Sequence, residues 1–185
     1  MDNFLPGYFY HVFTRTVGRE LLFQSEENYK YFLQKYQSVC SVHFTTLAYC
    51  LLPNHFHFLL QVRENSESKA ALKTFSNFLN GYAKAYNKMY NRHGALFQRK
   101  FKRKKINQDA YFSQVIIYIH QNPQRHGLID DFKNWKYSSY PSLVSQKPTN
   151  LDRSFVLDWF GGIEGFHNSH QLERTINLPE ELSLE

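Results

Sequence analysis

The chain has 185 residues with 22 Lys+Arg against 16 Asp+Glu, a formal net charge of +6, and 17% aromatic residues. That length suits one domain, and that apolar content excludes a globally disordered chain. No run approaches the roughly 18 consecutive apolar residues a membrane helix needs, and a basic, aromatic-rich chain points to nucleic acid as partner. The first residues lack the basic-then-apolar pattern of a signal peptide. Cys40 and Cys50 make neither a disulfide framework nor a Cys-x-x-Cys metal pair, so a reducing cytoplasm is the default expectation.

Residues 8–16 alternate as a strand, with Phe9, His11 and Phe13 on one face and Tyr10, Val12 and Thr14 on the other. Ser25 is a good N-cap, Glu26 and Glu27 suit a first helical turn, and Tyr29, Phe32, Leu33, Tyr36 and Val39 repeat at helical spacing over 25–39. Two β-prone runs, Phe44–Leu52 and His55–Val62, flank the turn Pro53-Asn54 and predict an antiparallel hairpin. Between 66 and 92, Leu72, Phe75, Leu79, Tyr82, Tyr86 and Met89 step by three and four, and Gly94 ends this second helix. A cation-rich strand is expected over 96–106. A third helix follows over 109–122 and is closed by Pro123. After Trp135 the pattern loosens, with an apolar patch at 155–160. The order β-α-β-β-α-β-α predicts an α+β fold, an antiparallel sheet with helices packed on one face. One domain over 1–150 is expected, with 151–185 as a C-terminal extension, partly helical or irregular.

Three features carry chemistry. In Pro53-Asn54-His55-Phe56-His57-Phe58, a strand places His55 and His57 on one face, about 6.6–7 Å apart along the backbone. Phe56 and Phe58 then point to the other face. Two imidazoles so held can share a divalent ion and leave coordination positions open. Nine histidines would produce such a pair by chance roughly 0.4 times, so the pair alone is equally a core feature. On the third helix, Tyr118 and Asn122 are i and i+4 and therefore neighbours. They read as a nucleophile beside an oxygen ligand, or as a packing phenol and a helix-closing Asn. Arg99-Lys100-Phe101-Lys102-Arg103-Lys104-Lys105 puts six cations in seven residues. That row suits phosphates with stacking bases, or a lysine-protected edge strand.

Together these residues resemble the HUH-type single-tyrosine transposases, most closely the REP-associated tyrosine transposases. The matching pieces are Tyr10-His11-Val12-Phe13 with Arg15 and Arg19, then Ala48-Tyr49-Cys50-Leu51-Leu52-Pro53-Asn54-His55-Phe56-His57. They continue with Gly94-Ala95-Leu96-Phe97-Gln98-Arg99, Tyr118-Ile119-His120-Gln121-Asn122-Pro123 and Trp135-Lys136-Tyr137-Ser138-Ser139-Tyr140. The resemblance implies a ferredoxin-like sheet with the histidine pair on a central strand. It implies His55, His57 and Asn122 as ligands of Mg²⁺ or Mn²⁺, and Tyr118 as the nucleophile. Arg15, Arg19, Arg99, Lys100, Lys102, Arg103, Lys104 and Lys105 are the expected DNA contacts. The implied activity is metal-dependent cleavage and rejoining of single-stranded, hairpin-containing DNA through a 5′-phosphotyrosine, by a monomer or a homodimer, of which the monomer is the favoured expectation. The chain departs from the pattern in Thr14-Arg15-Thr16-Val17-Gly18, where the family usually has Asn-Arg-Gly, and in His126, where a small Ala is common. A non-catalytic single-stranded nucleic-acid-binding module is the competing expectation. It accounts for the basic run but not for four chemical residues in one chain.

Overall fold

The computed structural model describes residues 3–98, 100–107 and 109–171. Four strands, β1 (Phe9–Arg15), β2 (Phe44–Leu52), β3 (His55–Val62) and β4 (Lys102–Lys105), form one antiparallel sheet in the order β2-β3-β1-β4. The expected hairpin is β2–β3, closed by Pro53-Asn54, and β3 lies in the interior of the sheet. Helix α1 (Glu26–Cys40) starts after Ser25, where the Asn28 carboxamide oxygen accepts from the backbone N–H of Ser25 and of Gln24. That satisfies donors which the first turn leaves open. Helix α2 (Ser68–Met89) covers the span read from its apolar spacing.

The sheet is covered on both faces rather than one. Helices α1 and α2 bury Phe32, Tyr36, Phe75, Phe78 and Tyr82 against Tyr10, Val12, Phe56, Phe58 and Leu60. Helix α3 (Asp109–Arg125) buries Phe112, Val115, Ile116 and Ile119 against Ala48, Cys50, Leu52 and Leu59 on the opposite face. The physical reason lies in β3: its residues are buried on both sides, which one helical layer cannot achieve. A bulge between Thr46 and Ala48 matters equally. One extra residue reverses the side-chain parity of β2, so Thr46 meets Tyr36 of α1 while Ala48, Cys50 and Leu52 meet α3.

Two elements differ in extent from expectation. Of the strand expected over 96–106, only Lys102–Lys105 pairs regularly, plus an isolated bridge between Thr16 and Phe97. A strand charged on both faces finds a partner only at the sheet edge. Helix α3 runs through Pro123 to Arg125, because proline in the last turn forfeits a single backbone bond. Gly127, at φ 64°, then turns the chain, with Leu128 N–H donating to the Pro123 carbonyl.

Residues 151–171 join the α3 side of the core. After a short 3₁₀ turn (Phe132–Asn134) and α4 (Tyr140–Leu143), helices α5 (Arg153–Trp159) and α6 (Ile163–Gln171) bury Val156 and Phe166 completely. Of the extension expected over 151–185, helices α5 and α6 lie within 153–171, and residues 172–185 lie outside the described residues. Cys40 and Cys50 are buried free thiols in different cores. Among the described residues no helix is long and apolar enough to cross a membrane.

Candidate active site

His55 and His57 project from β3 toward α3, their ring centroids 5.2 Å apart and nearly perpendicular. Each has its Nδ1 engaged. His55 Nδ1 lies 2.6 Å from Asn54 Oδ1, and His57 Nδ1 lies 2.9 Å from His11 Nε2. Asn54 Oδ1 only accepts, so His55 carries its proton on Nδ1 and presents a lone pair at Nε2. The Nε2 atoms of both rings are buried without a hydrogen-bond partner. Burial holds both imidazoles neutral. His55 is lowered to about 3, mainly by desolvation, then by His126 and Arg15, with Asn122 opposing the shift. His57 lies well below the usual histidine range through desolvation and its neighbours His11, His55 and His126. A neutral imidazole is the form that ligates a metal.

Helix α3 brings the other two residues. Asn122 is fully buried, and its Nδ2 donates 3.1 Å to the Tyr118 backbone carbonyl. A carbonyl only accepts, so the amide nitrogen must face it, and Oδ1 is left as a buried acceptor without a partner. The Tyr118 ring stands 5.5 Å from His57 and perpendicular to it, and 6.1 Å from His11. Tyr118 is 2% exposed, with the Arg125 guanidinium 5.4 Å from its ring centre. Tyr111, two turns earlier, is half-buried in the apolar layer around α3.

Two imidazole nitrogens and one amide oxygen, all buried and unpartnered, make a donor set that a divalent ion fits. Among the described residues no three His, Cys, Asp or Glu side chains converge as a ligand set, and an ion at His55 and His57 would find the Asn122 amide oxygen as a further buried donor. A recess of about 380 Å³ opens on His55, lined by Arg15, Leu21, Asn54, His126 and Leu128. It reaches His55 from solvent, whereas His57 does not line it.

The expected DNA-contacting cations do not form one surface. Register pairs Lys102 with Phe13 and Lys104 with His11, which puts both lysines on the histidine face of the sheet. Arg103 and Lys105 pair with Val12 and Tyr10 and point to the α1–α2 face. There Arg103 is nearly buried, its guanidinium 5.7 Å from the Phe4 ring and 5.4 Å from that of Phe101. Lys105 Nζ sits 3.3 Å from the centre of Tyr8. Lys100 lines a groove of about 990 Å³ beside α2, with Lys84 and Phe97. Arg15 is at the histidine recess, Arg19 is exposed on the loop after β1, and Arg99 lies outside the described residues.

Two residues of the site escaped the reading of the sequence. His11 alternates onto the same face as Phe9 and Phe13, a signal that was visible, but its pairing with His57 depends on strand order. His126 packs its ring 5.1 Å from His55 only because α3 continues past Pro123.

The family profile described as "Transposase IS200 like" matches residues 5–122. A Haemophilus influenzae protein named "Putative REP-associated tyrosine transposase" is 34% identical over 117 residues, which are 59% of this chain and 66% of that protein. The chain thus spans slightly under two thirds of that relative's length. The solved structure of a REP-associated tyrosine transposase bound to a REP hairpin superposes with a TM-score of 0.64 at 18% identity, covering 80% of this chain and 87% of that one. At that identity the likeness is one of fold. The profile covers well over half of the sequence, from ahead of β1 through Asn122, and on that ground the chain belongs to the IS200-like transposase family.

Proposed function

We propose that this protein cleaves and rejoins single-stranded, hairpin-containing DNA through a covalent 5′-phosphotyrosine at Tyr118, with Mg²⁺ or Mn²⁺ held by His55, His57 and Asn122. The observation that carries the reading is the buried trio of unpartnered Nε2, Nε2 and Oδ1 atoms beside the Tyr118 ring. A hairpin substrate is supported by the relative's name and by the REP hairpin bound to the structural neighbour.

The chemistry follows from the groups. A phenol with a pKa near 10 is only about 0.1% ionised at pH 7, so Tyr118 needs help to attack phosphorus. A divalent ion in the trio would supply positive charge to a phosphate oxygen, where it strengthens binding most in the transition state. Tyr118 Oη forms the new bond to phosphorus, the 3′-oxygen of the upstream nucleotide leaves as a 3′-hydroxyl, and the 5′-phosphate stays on the protein. Rejoining reverses these steps with the same or another 3′-hydroxyl, so no nucleotide cofactor is required. Arg15 and His126 flank the recess through which the strand approaches His55. A phosphate reaches Tyr118 only after the cover of this nearly buried phenol opens, and Arg125 is part of that cover. Tyr118 stands beside the histidines of its own chain, which supports a monomer as the working unit.

The test is incubation with a 5′-extended single-stranded hairpin oligonucleotide and Mn²⁺ or Mg²⁺, followed by denaturing electrophoresis. A covalent protein–DNA species that depends on the metal is expected. Tight hairpin binding with no covalent species under either metal would favour the non-catalytic binding module instead.

A further inference from the structure

We infer that His11 is a positioning residue that decides whether His57 can serve as a ligand. This deepens the proposed function and rests on its assignment of His57. On β1, His11 is the Cα partner of Leu59 and lies diagonally across from His57, which pairs with Phe13. Diagonal neighbours on adjacent strands are within reach of aromatic side chains. The two ring planes are 23° apart with centroids at 5.1 Å, and Phe13 packs against both, 4.6 Å from His11 at a tilt of 38° and 5.6 Å from His57 at 28°. Both histidines are fully buried, so this geometry leaves the His57 ring no room to turn over.

One proton occupies the 2.9 Å bond between His11 Nε2 and His57 Nδ1. If His57 donates it, His57 Nε2 is a lone pair aimed into the site. If His11 donates it, His57 Nε2 carries a hydrogen instead and cannot bind a cation. The Asn54 carboxamide sets the neighbouring His55 to the Nδ1–H form, because its oxygen can only accept. His11 completes the symmetry as the acceptor for His57. A ligand histidine whose other nitrogen donates to a fixed acceptor is the arrangement that orients imidazole toward metal, commonly through a carboxylate or carbonyl. Here a third imidazole fills that place. A core histidine present only for packing has no reason to hold one tautomer of its neighbour.

Two measurements test this. Long-range ¹H–¹⁵N spectra of metal-free, histidine-labelled protein should show His57 protonated at Nδ1 and bare at Nε2, with the peaks assigned through His57→Ala. The opposite tautomer overturns the inference, whatever the protein does to DNA. Mn²⁺ titration followed by electron paramagnetic resonance supplies the second readout. His11→Phe keeps ring packing but removes the acceptor, and should weaken Mn²⁺ binding roughly 10- to 100-fold. His11→Gln restores an acceptor and should recover most of that loss, at unchanged hairpin affinity. Equal Mn²⁺ binding by wild type and His11→Phe overturns the positioning role. If wild type itself binds no Mn²⁺, the metal reading fails while the tautomer spectrum still decides the role of His11; the same spectrum decides it if His11→Phe does not fold.

Discussion

Tyr118 and Tyr111 stand seven residues apart on α3, roughly 10.5 Å along the axis, too far for both phenols to serve one phosphate. Tyr118 adjoins His57 and is followed one turn later by Asn122, whereas Tyr111 belongs to the apolar packing. Tyr118→Phe removes one hydroxyl and should abolish the covalent DNA adduct while leaving hairpin binding and unfolding temperature close to wild type. Tyr111→Phe should keep the adduct. Peptide mapping of the trapped species reads the outcome, and an adduct on Tyr111 would move the nucleophile. His55→Ala or His57→Ala should likewise abolish cleavage with hairpin affinity largely retained, since phosphate affinity comes mainly from Lys and Arg. Cleavage near wild-type rate in both variants would remove the histidines from the mechanism.

Edge strand β4 assigns its cations by alternation. Lys102 and Lys104 share the sheet face of His11 and His57, and Arg103 is packed over Phe4 and Phe101 on the other. Replacing Lys102 and Lys104 with Ala should therefore lower the salt dependence of single-strand binding, by a slope of about 0.7 for each phosphate that is no longer neutralised. Arg103→Ala should act on the fold instead. Removing a guanidinium from two ring faces, together with its buried aliphatic stem, costs on the order of 1 kcal/mol, measurable by urea unfolding. A large change in salt slope from Arg103→Ala with no change in stability would reverse the two roles.

Across the whole molecule, α5 and α6 close the layer that holds α3 against the sheet. The Trp159 indole donates to Ser113 on α3, and His170 sits 2.8 Å from His120 on the same helix. Truncation after residue 150 would expose the surface that Val156 and Phe166 cover, each worth roughly 1.5–3 kcal/mol, and should cost several kcal/mol in chemical denaturation. An equally stable truncated protein would make 151–171 a dispensable extension. Buried histidines also give the fold an acid limit. Desolvation foremost holds His57 and His120 well below the ordinary range, His170 at about 4 and His55 at about 3. In the unfolded chain the same groups titrate near 6.5. Below that pH the unfolded state binds more protons than the folded one, so stability is full above about pH 7 and falls progressively from about 6.5 down through the folded-state values, about 4 for His170 and about 3 for His55. Metal-free protein should show a flat unfolding midpoint from pH 7.5 to 8.5 and a steep decline below 6.5. A midpoint unchanged down to pH 5 would mean the histidines are accessible and protonate freely in the folded state.

Local periodicity set most residues of the candidate site beside one another, and the family resemblance gave them their expected roles. Alternation along β3 separates His55 and His57 from Phe56 and Phe58 whatever the strand pairs with, and the helical repeat sets Tyr118 beside Asn122 in any environment. The same rules found β1, the β2–β3 hairpin and the first three helices. They carried no information on strand order, so neither the second helical layer nor the contact of His11 with His57 could be read from them. The bulge before Ala48 leaves no mark in a run of apolar residues that is buried on both faces. Proline at 123 reads as a stop, yet the helix passes it because only one bond is forfeited. These features were decided by pairing β1 between β3 and β4 and by packing 151–171 under α3. Both join residues far apart in the chain, where the free energy comes from surface buried between elements and not from the pattern within one.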